Sequence, residues 1–165
     1  MKKLMLLTFF VVLASSVSFA ATQSATMNVT ATLLPTVTVQ TTNLDFGNWL
    51  IGDSPHTATA TITVTATNGT PYAITLDAGT HGTSGTRNVQ NGTDAVPYVI
   101  NDPTNTVQWG DSGFGGTYLA GNPVTGTGNG SPQPYTANGV LDTNLASPSS
   151  TIGLYTDFVT VTVNY

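Results

Sequence analysis

The feature that most restricts the fold is a strict two-residue alternation of apolar and polar side chains. It is clearest in residues 159–165, where Val159, Val161 and Val163 share one face and Tyr165 closes the apolar row. Because successive side chains of a β-strand point to opposite faces, this pattern predicts a strand with one buried face. An exposed strand edge invites pairing with another strand. The sequence therefore raises the question of what lies beside this one.

The same alternation recurs along the chain, and no helical periodicity accompanies it. It predicts strands over 25–33, 36–40, 57–67, 72–79, 96–102, 106–113, 135–141 and 154–165. Pro35 separates the first two, because proline cannot donate a hydrogen bond to a ladder. The turn at 68–71 predicts a hairpin over 57–79, and the glycine-rich and polar stretches 80–94, 121–134 and 143–151 predict loops. Short strands separated by turns predict an all-β, antiparallel sandwich of the immunoglobulin-like type.

The first twenty residues have the composition of a secretory signal peptide. Lys2 and Lys3 precede an apolar run over 4–14, and Ser18 and Ala20 provide small residues before a cleavage site after residue 20. The run is too short for a permanent membrane span. We therefore expect an exported protein comprising residues 21–165, with a length that suits one domain.

Residues 21–165 are acidic and contain no cysteine. Arg87 is their only basic residue apart from histidine, and all eight acidic residues are aspartates, so the side-chain charge is +1 − 8 = −7. This composition argues against nucleic-acid binding and against association with anionic membranes. The lack of cysteine excludes thiol catalysis, cysteine-ligated metal sites and disulfide bonds.

Several motifs suggest chemistry, but each has a simpler structural explanation. The GDSG string at 110–113 resembles the surroundings of a serine-protease nucleophile, yet the two histidines, His56 and His81, lie in turn-rich stretches that we expect to be exposed. A turn explains this string. The loop aspartates lack the spacing of a calcium-binding loop, and buried positions in a sandwich suit Trp49 and Trp109 better than a sugar-binding platform does. We predict no catalytic site, no metal site and no cofactor.

Four segments taken together resemble the spore coat protein U domain family, which includes subunits of archaic chaperone–usher pili. They are LDFGNW (44–49), ITVTATNGTPYAITLDAG (62–79), VPYVINDPTNTVQWGDSG (96–113) and GLYTDFVTVTVNY (153–165). Tyr155, Asp157 and Tyr165 provide the most specific part of the resemblance. Family members commonly carry two cysteines where this chain has Pro35 and Ala66, so the resemblance implies a disulfide that is missing here.

The resemblance implies an incomplete immunoglobulin-like sandwich that a donor strand from a neighbouring subunit completes. Residues 21–34 are then the donor segment and residues 35–165 the domain. The implied donor residues are Met27, Val29, Ala31 and Leu33. The implied acceptor groove is bounded by Val37, Val39, Val159, Val161 and Val163. Tyr165 would form part of the docking site for a periplasmic chaperone.

The implied function is that of a surface pilus subunit. The chain would polymerise with identical subunits with the help of the chaperone and an outer-membrane usher, and it would support adhesion and biofilm formation. It would not be an enzyme, would not insert directly into a membrane, and would reach the cell surface through the periplasm.

The sequence leaves other arrangements open. Residues 25–33 could instead form the first strand of their own sandwich. With the same fold, the protein could serve as a spore or cell-surface coat protein, or as a secreted monomeric binding module. A tip adhesin would need an additional receptor-binding domain, for which the chain has no length.

Overall fold

The protein is described by a computed structural model, which covers residues 21–53, 55–83, 85–146 and 149–165. The signal peptide predicted over residues 1–20 lies outside these described residues. Residues 21–33 and residues 34–165 form two separate units. No helix of the described part of the chain is long and apolar enough to cross a membrane.

Residues 34–165 form an antiparallel β-sandwich, which confirms the predicted fold class. The described strands are β1 (Val37–Thr41), β2 (His56–Ala66), β3 (Pro71–Leu76), β4 (Arg87–Asn91), β5 (Asp94–Asn101), β6 (Val124–Thr127), β7 (Gln133–Leu141) and β8 (Val161–Asn164). One sheet has the order β1-β2-β7-β5-β4 and the other has the order β6-β3-β8. Among the described residues, one 3-10 turn is present, at Thr143–Leu145.

The core lies between the two sheets and comes from the alternating positions of their strands. Ile62 and Val64 of β2 face inward in the larger sheet, and Ile74 and Leu76 of β3 face inward in the smaller one. Each of these four side chains is at most 3% exposed. Trp109 is completely buried, and its indole N–H donates to the Ile74 carbonyl at 2.9 Å, which confirms the expectation of a buried tryptophan at this position. The same expectation is wrong for Trp49, which is only partly buried.

The hairpin predicted over 57–79 is wrong. β2 pairs with β1 and β7 in one sheet, whereas β3 pairs with β6 and β8 in the other. The turn at 67–70 therefore carries the chain from one layer to the other instead of joining two neighbours. Apolar alternation cannot separate these two arrangements, because both place the same side chains in the core.

Other predicted boundaries also need correction. The stretches 80–94 and 121–134 were predicted as loops but contain β4 and β6, whose short polar sequences give little apolar alternation. The strand predicted over 106–113 is reduced to isolated bridges at Gln108 and Trp109. Regular pairing of the final strand is limited to Val161–Asn164, and no strand forms in residues 25–33. A strand needs a ladder partner, so alternation without one does not produce regular structure.

Threonine side chains hold the start of β1 where the resemblance places the missing disulfide. The hydroxyl of Thr67 accepts the backbone N–H of Thr36 at 3.0 Å, and the two threonine hydroxyls lie 3.1 Å apart. Ala66 is 1% exposed and lies directly opposite Val37. This end of β1 is therefore fixed to β2 by hydrogen bonds and packing.

Candidate functional site

The interior of the sandwich is not fully covered along β1 and β8. Val39 lies directly opposite Val64 and therefore on the same inward face, yet it is 39% exposed while Val64 is completely buried. On the other sheet, Val161 lies opposite the buried Leu76 but remains partly exposed. In both sheets, burial therefore falls from the inner strand to the outer one.

Most of the partly exposed apolar residues that pack against the core come from two stretches. Their members are Val37, Leu44, Phe46, Trp49, Tyr155, Val159, Val161 and Val163. We call this set, together with Val39, the open side. Of the five residues predicted for the acceptor groove, Val37, Val159, Val161 and Val163 pack on the core. Val39 faces inward without being covered.

The stretch that follows β1 lays apolar side chains across the interior. Phe46 packs edge-on against Tyr98, with ring centroids 5.9 Å apart. Leu44 and Phe46 cross the backbone of β7 at Gly139, where an added Cβ would lie 2.7 Å from Leu44 Cδ2. The absence of a side chain at Gly139 therefore makes room for this stretch.

The same stretch meets the C-terminal segment at one point. The rings of Trp49 and Tyr155 pack edge-to-face with centroids 5.6 Å apart. Leu44, Phe46, Trp49 and Tyr155 all belong to segments that carry the family resemblance, but none of the four was predicted to line the acceptor groove. The alternation of Leu44 and Phe46 was the available signal, and the turn glycine at position 47 obscured it.

β8 has a free edge. Among the described strands it pairs only with β3. The carbonyl groups of Phe158 and Thr160 point toward the β3 side, where they accept from Thr80 and Asp77. Because backbone groups alternate in direction along a strand, those of Val159, Val161 and Val163 point toward the free edge. This edge therefore offers an apolar face and a row of backbone donors and acceptors to another strand.

The leading segment carries exposed apolar side chains. Residues 21–33 contain no helix or strand, and Met27, Val29 and Leu33 are 84%, 82% and 86% exposed. Ala31 is also exposed. Tyr165, the residue predicted for chaperone docking, is 66% exposed just after β8.

Residues 21–165 expose no arginine or lysine side chain, because the only one that they contain, Arg87, is buried. Arg87 is 0% exposed and donates to the carbonyls of Leu76, Asp77 and Trp109 at 2.8–2.9 Å. Its guanidinium carbon lies 3.7 Å from the centroid of the Tyr118 ring. Burial lowers the pKa of Arg87, and the nearby Tyr118 opposes this shift. The sequence showed that residues 21–165 contain no other arginine or lysine, but it did not predict that Arg87 is buried.

The motifs considered as catalytic or metal-binding have structural roles where the structure describes them. Asp111 of the GDSG string is 3% exposed and accepts the backbone N–H of Tyr118 at 3.0 Å. His56 contacts Asp53, and His81 contacts Asp157, at 3.4 Å each, and none of the described hydrogen bonds joins either ring to Ser112. Both histidines are partly buried, contrary to the expectation that they are exposed. The described residues include no cluster of three or more potential metal ligands.

Comparisons with known proteins agree with this architecture. The family model described as Spore Coat Protein U domain matches residues 23–162. No curated protein matches the chain. Among solved structures, the chain is similar to one from a CsuC–CsuE chaperone–tip adhesion subunit pre-assembly complex of the archaic chaperone–usher Csu pili of Acinetobacter baumannii. The identity is 21% and the TM-score 0.52, and the match covers 81% of this chain but only 40% of the other.

Proposed function

The chain belongs to the Spore Coat Protein U domain family, and from this premise we propose that it is a structural subunit of an archaic chaperone–usher pilus. In this proposal, residues 25–33 of one subunit complete the sandwich of the next. The observation that carries the proposal is the graded burial across β1 and β8, where inward-facing valines remain partly exposed. The protein is a building block, not an enzyme.

The leading segment and the open side have matching chemistry. Met27, Val29 and Leu33 share one face of an extended segment, and burying each of them contributes roughly 1.5–3 kcal/mol. The total is then roughly 5–9 kcal/mol before any ladder hydrogen bonds form. Ordering the segment costs about 1–2 kcal/mol per residue, so assembly relies on an acceptor edge that is already formed.

Strand addition explains how such a contact would extend into a fibre. Backbone hydrogen bonds along the free edge of β8 would supply affinity, and alternate side chains would set the position of the added strand. The donor and the acceptor are different surfaces of one subunit. The contact is therefore head-to-tail, and such contacts produce filaments when they do not close into a ring.

Before assembly, the open side needs a temporary partner, and we propose a periplasmic chaperone for this role. The similar solved structure is itself described as a chaperone–subunit complex. Because the described surface has no exposed lysine or arginine, basic side chains on a chaperone would meet no like charge from these residues. The free edge of β8 and the exposed Tyr165 would form the docking site. An outer-membrane usher would then receive the subunit for export to the cell surface, where the fibre would support adhesion and biofilm formation.

The test compares two aspartate substitutions in the leading segment. Val29→Asp places a charge on the apolar face, whereas Thr30→Asp places the same charge on the polar face one residue away. We expect Val29→Asp to abolish fibres visible by electron microscopy and Thr30→Asp to retain them. Normal fibres from Val29→Asp, or from a variant lacking residues 25–33, would contradict the donor assignment.

The family description also favours a second role, as a coat protein that covers a spore or cell surface with the same fold. This role predicts a continuous layer instead of thin fibres. Electron microscopy of cells that express the full chain separates the two roles. A stable secreted monomer in size-exclusion chromatography would contradict both.

A further inference from the structure

The C-terminal segment crosses from one sheet to the other just before β8. The backbone N–H and C=O of Thr156 pair with Gln90 of β4 at 3.1 and 2.9 Å. Five residues later, β8 begins and pairs with β3 in the opposite sheet. The crossing therefore lies at Thr156–Thr160, immediately before β8, and it includes Val159 of the open side.

A bulge lies opposite this crossing. The N–H of Asp77 donates to the carbonyl of Thr160, and the N–H of Thr80 donates to the carbonyl of Phe158. Between these two hydrogen bonds, the segment after β3 advances three residues, from 77 to 80, whereas the C-terminal segment advances two, from 160 to 158. The additional residue in the first segment is that of a β-bulge. Gly79 lies within the bulge at φ +77°, and a Cβ there would overlap the carboxylate of Asp157.

Two carboxylates hold the bulge reciprocally. Oδ1 of Asp77 accepts the backbone N–H of Thr160 at 2.8 Å. On the other chain, Oδ1 of Asp157 accepts the backbone N–H of His81 at 3.0 Å. Each aspartate therefore binds the backbone of the opposite strand.

Asp157 also connects to the other sheet. Its Oδ2 accepts the hydroxyl of Tyr98 in β5 at 2.6 Å, and its side chain is only 2% exposed. Burial, together with this hydrogen bond, raises the pKa of Tyr98, which keeps the phenol protonated as a donor. The carboxylate thus joins β5, the bulge and the C-terminal segment at one buried point.

We infer that Asp157, with Asp77 and Gly79, forms a register lock that fixes the alignment of β8 with β3. A one-residue slip of a strand exchanges its two faces. It would turn Val161 and Val163 away from the interior and replace them with Thr160 and Thr162. The lock therefore acts as a positioning device for the open side, a role that rests on the proposed function, although its geometry can be tested without assembly.

The test traps the register with pairs of engineered cysteines in the exported full chain, which has no cysteine of its own. Thr75 lies opposite Thr162, so Thr75→Cys with Thr162→Cys reports the register of the structure. Thr75→Cys with Val161→Cys, or with Val163→Cys, reports a slip of one residue in either direction. A short thiol-to-thiol crosslinker and mass spectrometry then give the ratio of the original register to the two slipped ones.

With Asp157 intact, we expect only the 75–162 crosslink. Asp157→Ala removes two hydrogen bonds to a buried carboxylate, and we expect it to lower the ratio of the original to the slipped register at least tenfold. Tyr98→Phe removes one of these bonds and should lower the ratio severalfold. If Asp157→Ala leaves no soluble chain, the result with Tyr98→Phe decides.

Asp45→Ala is the matched control, since this exposed carboxylate accepts only a local backbone N–H, that of Gly47, at 2.8 Å. It should leave the ratio unchanged. An unchanged ratio in both Asp157→Ala and Tyr98→Phe would overturn the register lock. The ratio does not depend on fibres, so failure of the pilus proposal would appear separately, as an intact register in a chain that does not assemble.

Discussion

Replacing Arg87 with alanine is expected to be one of the most damaging single changes in the domain. The guanidinium donates to three carbonyls, from the end of β3 and from Trp109, and it lies over the ring of Tyr118. Arg87→Ala would leave these buried carbonyls without this donor and would open a space beneath the ring.

The size of the effect follows from these contacts. A buried polar group that loses its partner costs about 1–3 kcal/mol, and a desolvated cation–π contact contributes on the order of 1–2 kcal/mol. Carbonyl groups can find replacement partners, so we expect a loss of about 3–5 kcal/mol in the free energy of unfolding. For a domain of this size, this loss lowers the unfolding temperature by about 10–20 °C.

Circular dichroism of the purified exported protein measures this change. Arg87→Lys is the matched variant, because lysine keeps the charge but cannot reach three carbonyls with one ammonium group or stack its head group on Tyr118. We expect Arg87→Lys to recover less than half of the loss. An unfolding temperature for Arg87→Lys equal to that of the unchanged protein would refute the reasoning, since charge alone would then be sufficient.

Two further predictions follow from the distribution of charge. Trypsin can cut residues 21–165 only after Arg87, which is buried, so the folded protein should resist trypsin. Unfolding should permit one cut, which gives two fragments, residues 21–87 and 88–165, on gel electrophoresis. Rapid cleavage under native conditions would contradict this prediction. Hydrogen bonds from Thr151 lower the pKa of Asp94. Burial alone would raise the pKa of Asp102, but hydrogen bonds from Thr104, Thr106 and Val107 outweigh burial, so the pKa of Asp102 is lowered as well. Carboxylates with lowered pKa values stabilise the fold above their unfolded pKa of about 3.9, and this contribution is lost as the pH falls through the folded pKa. The unfolding temperature should therefore fall below about pH 4, with a shallower fall in Asp102→Asn; a rise on acidification would contradict the assignment.

The fold class could be predicted from the sequence because the apolar alternation of the longer strands is strong. Strand pairing could not. The residues of β2 and β3 alternate in the same way whether the two strands form a hairpin or lie in opposite layers, and only the packed core distinguishes these arrangements. β4 and β6 were missed because their short, polar sequences carry little periodic signal.

Only some residues of the open side had been singled out from the sequence. The valines of β1 and β8 were identified from alternation and from the family resemblance, and the structure shows inward-facing valines of both strands partly exposed. Leu44, Phe46 and Trp49 were not assigned to it because they come from a stretch without regular structure, and their position depends on contacts with Gly139 and Tyr155. The lock at Asp157 joins residues far apart in sequence, so spacing could not reveal it.

The central claim is that the leading segment of one subunit occupies the open side of another, and intermolecular crosslinking tests it most directly. Two single-cysteine variants would be co-expressed, one with a cysteine at a donor position, such as Val29→Cys, and one with Val161→Cys. Neighbouring donor positions would be tested in the same way, so that each alignment of the donor segment along β8 is sampled. The account predicts a crosslinked dimer between the two variants in purified fibres. Fibres that form normally but give no crosslinked dimer between the two variants, at any of the donor positions tested, would contradict it.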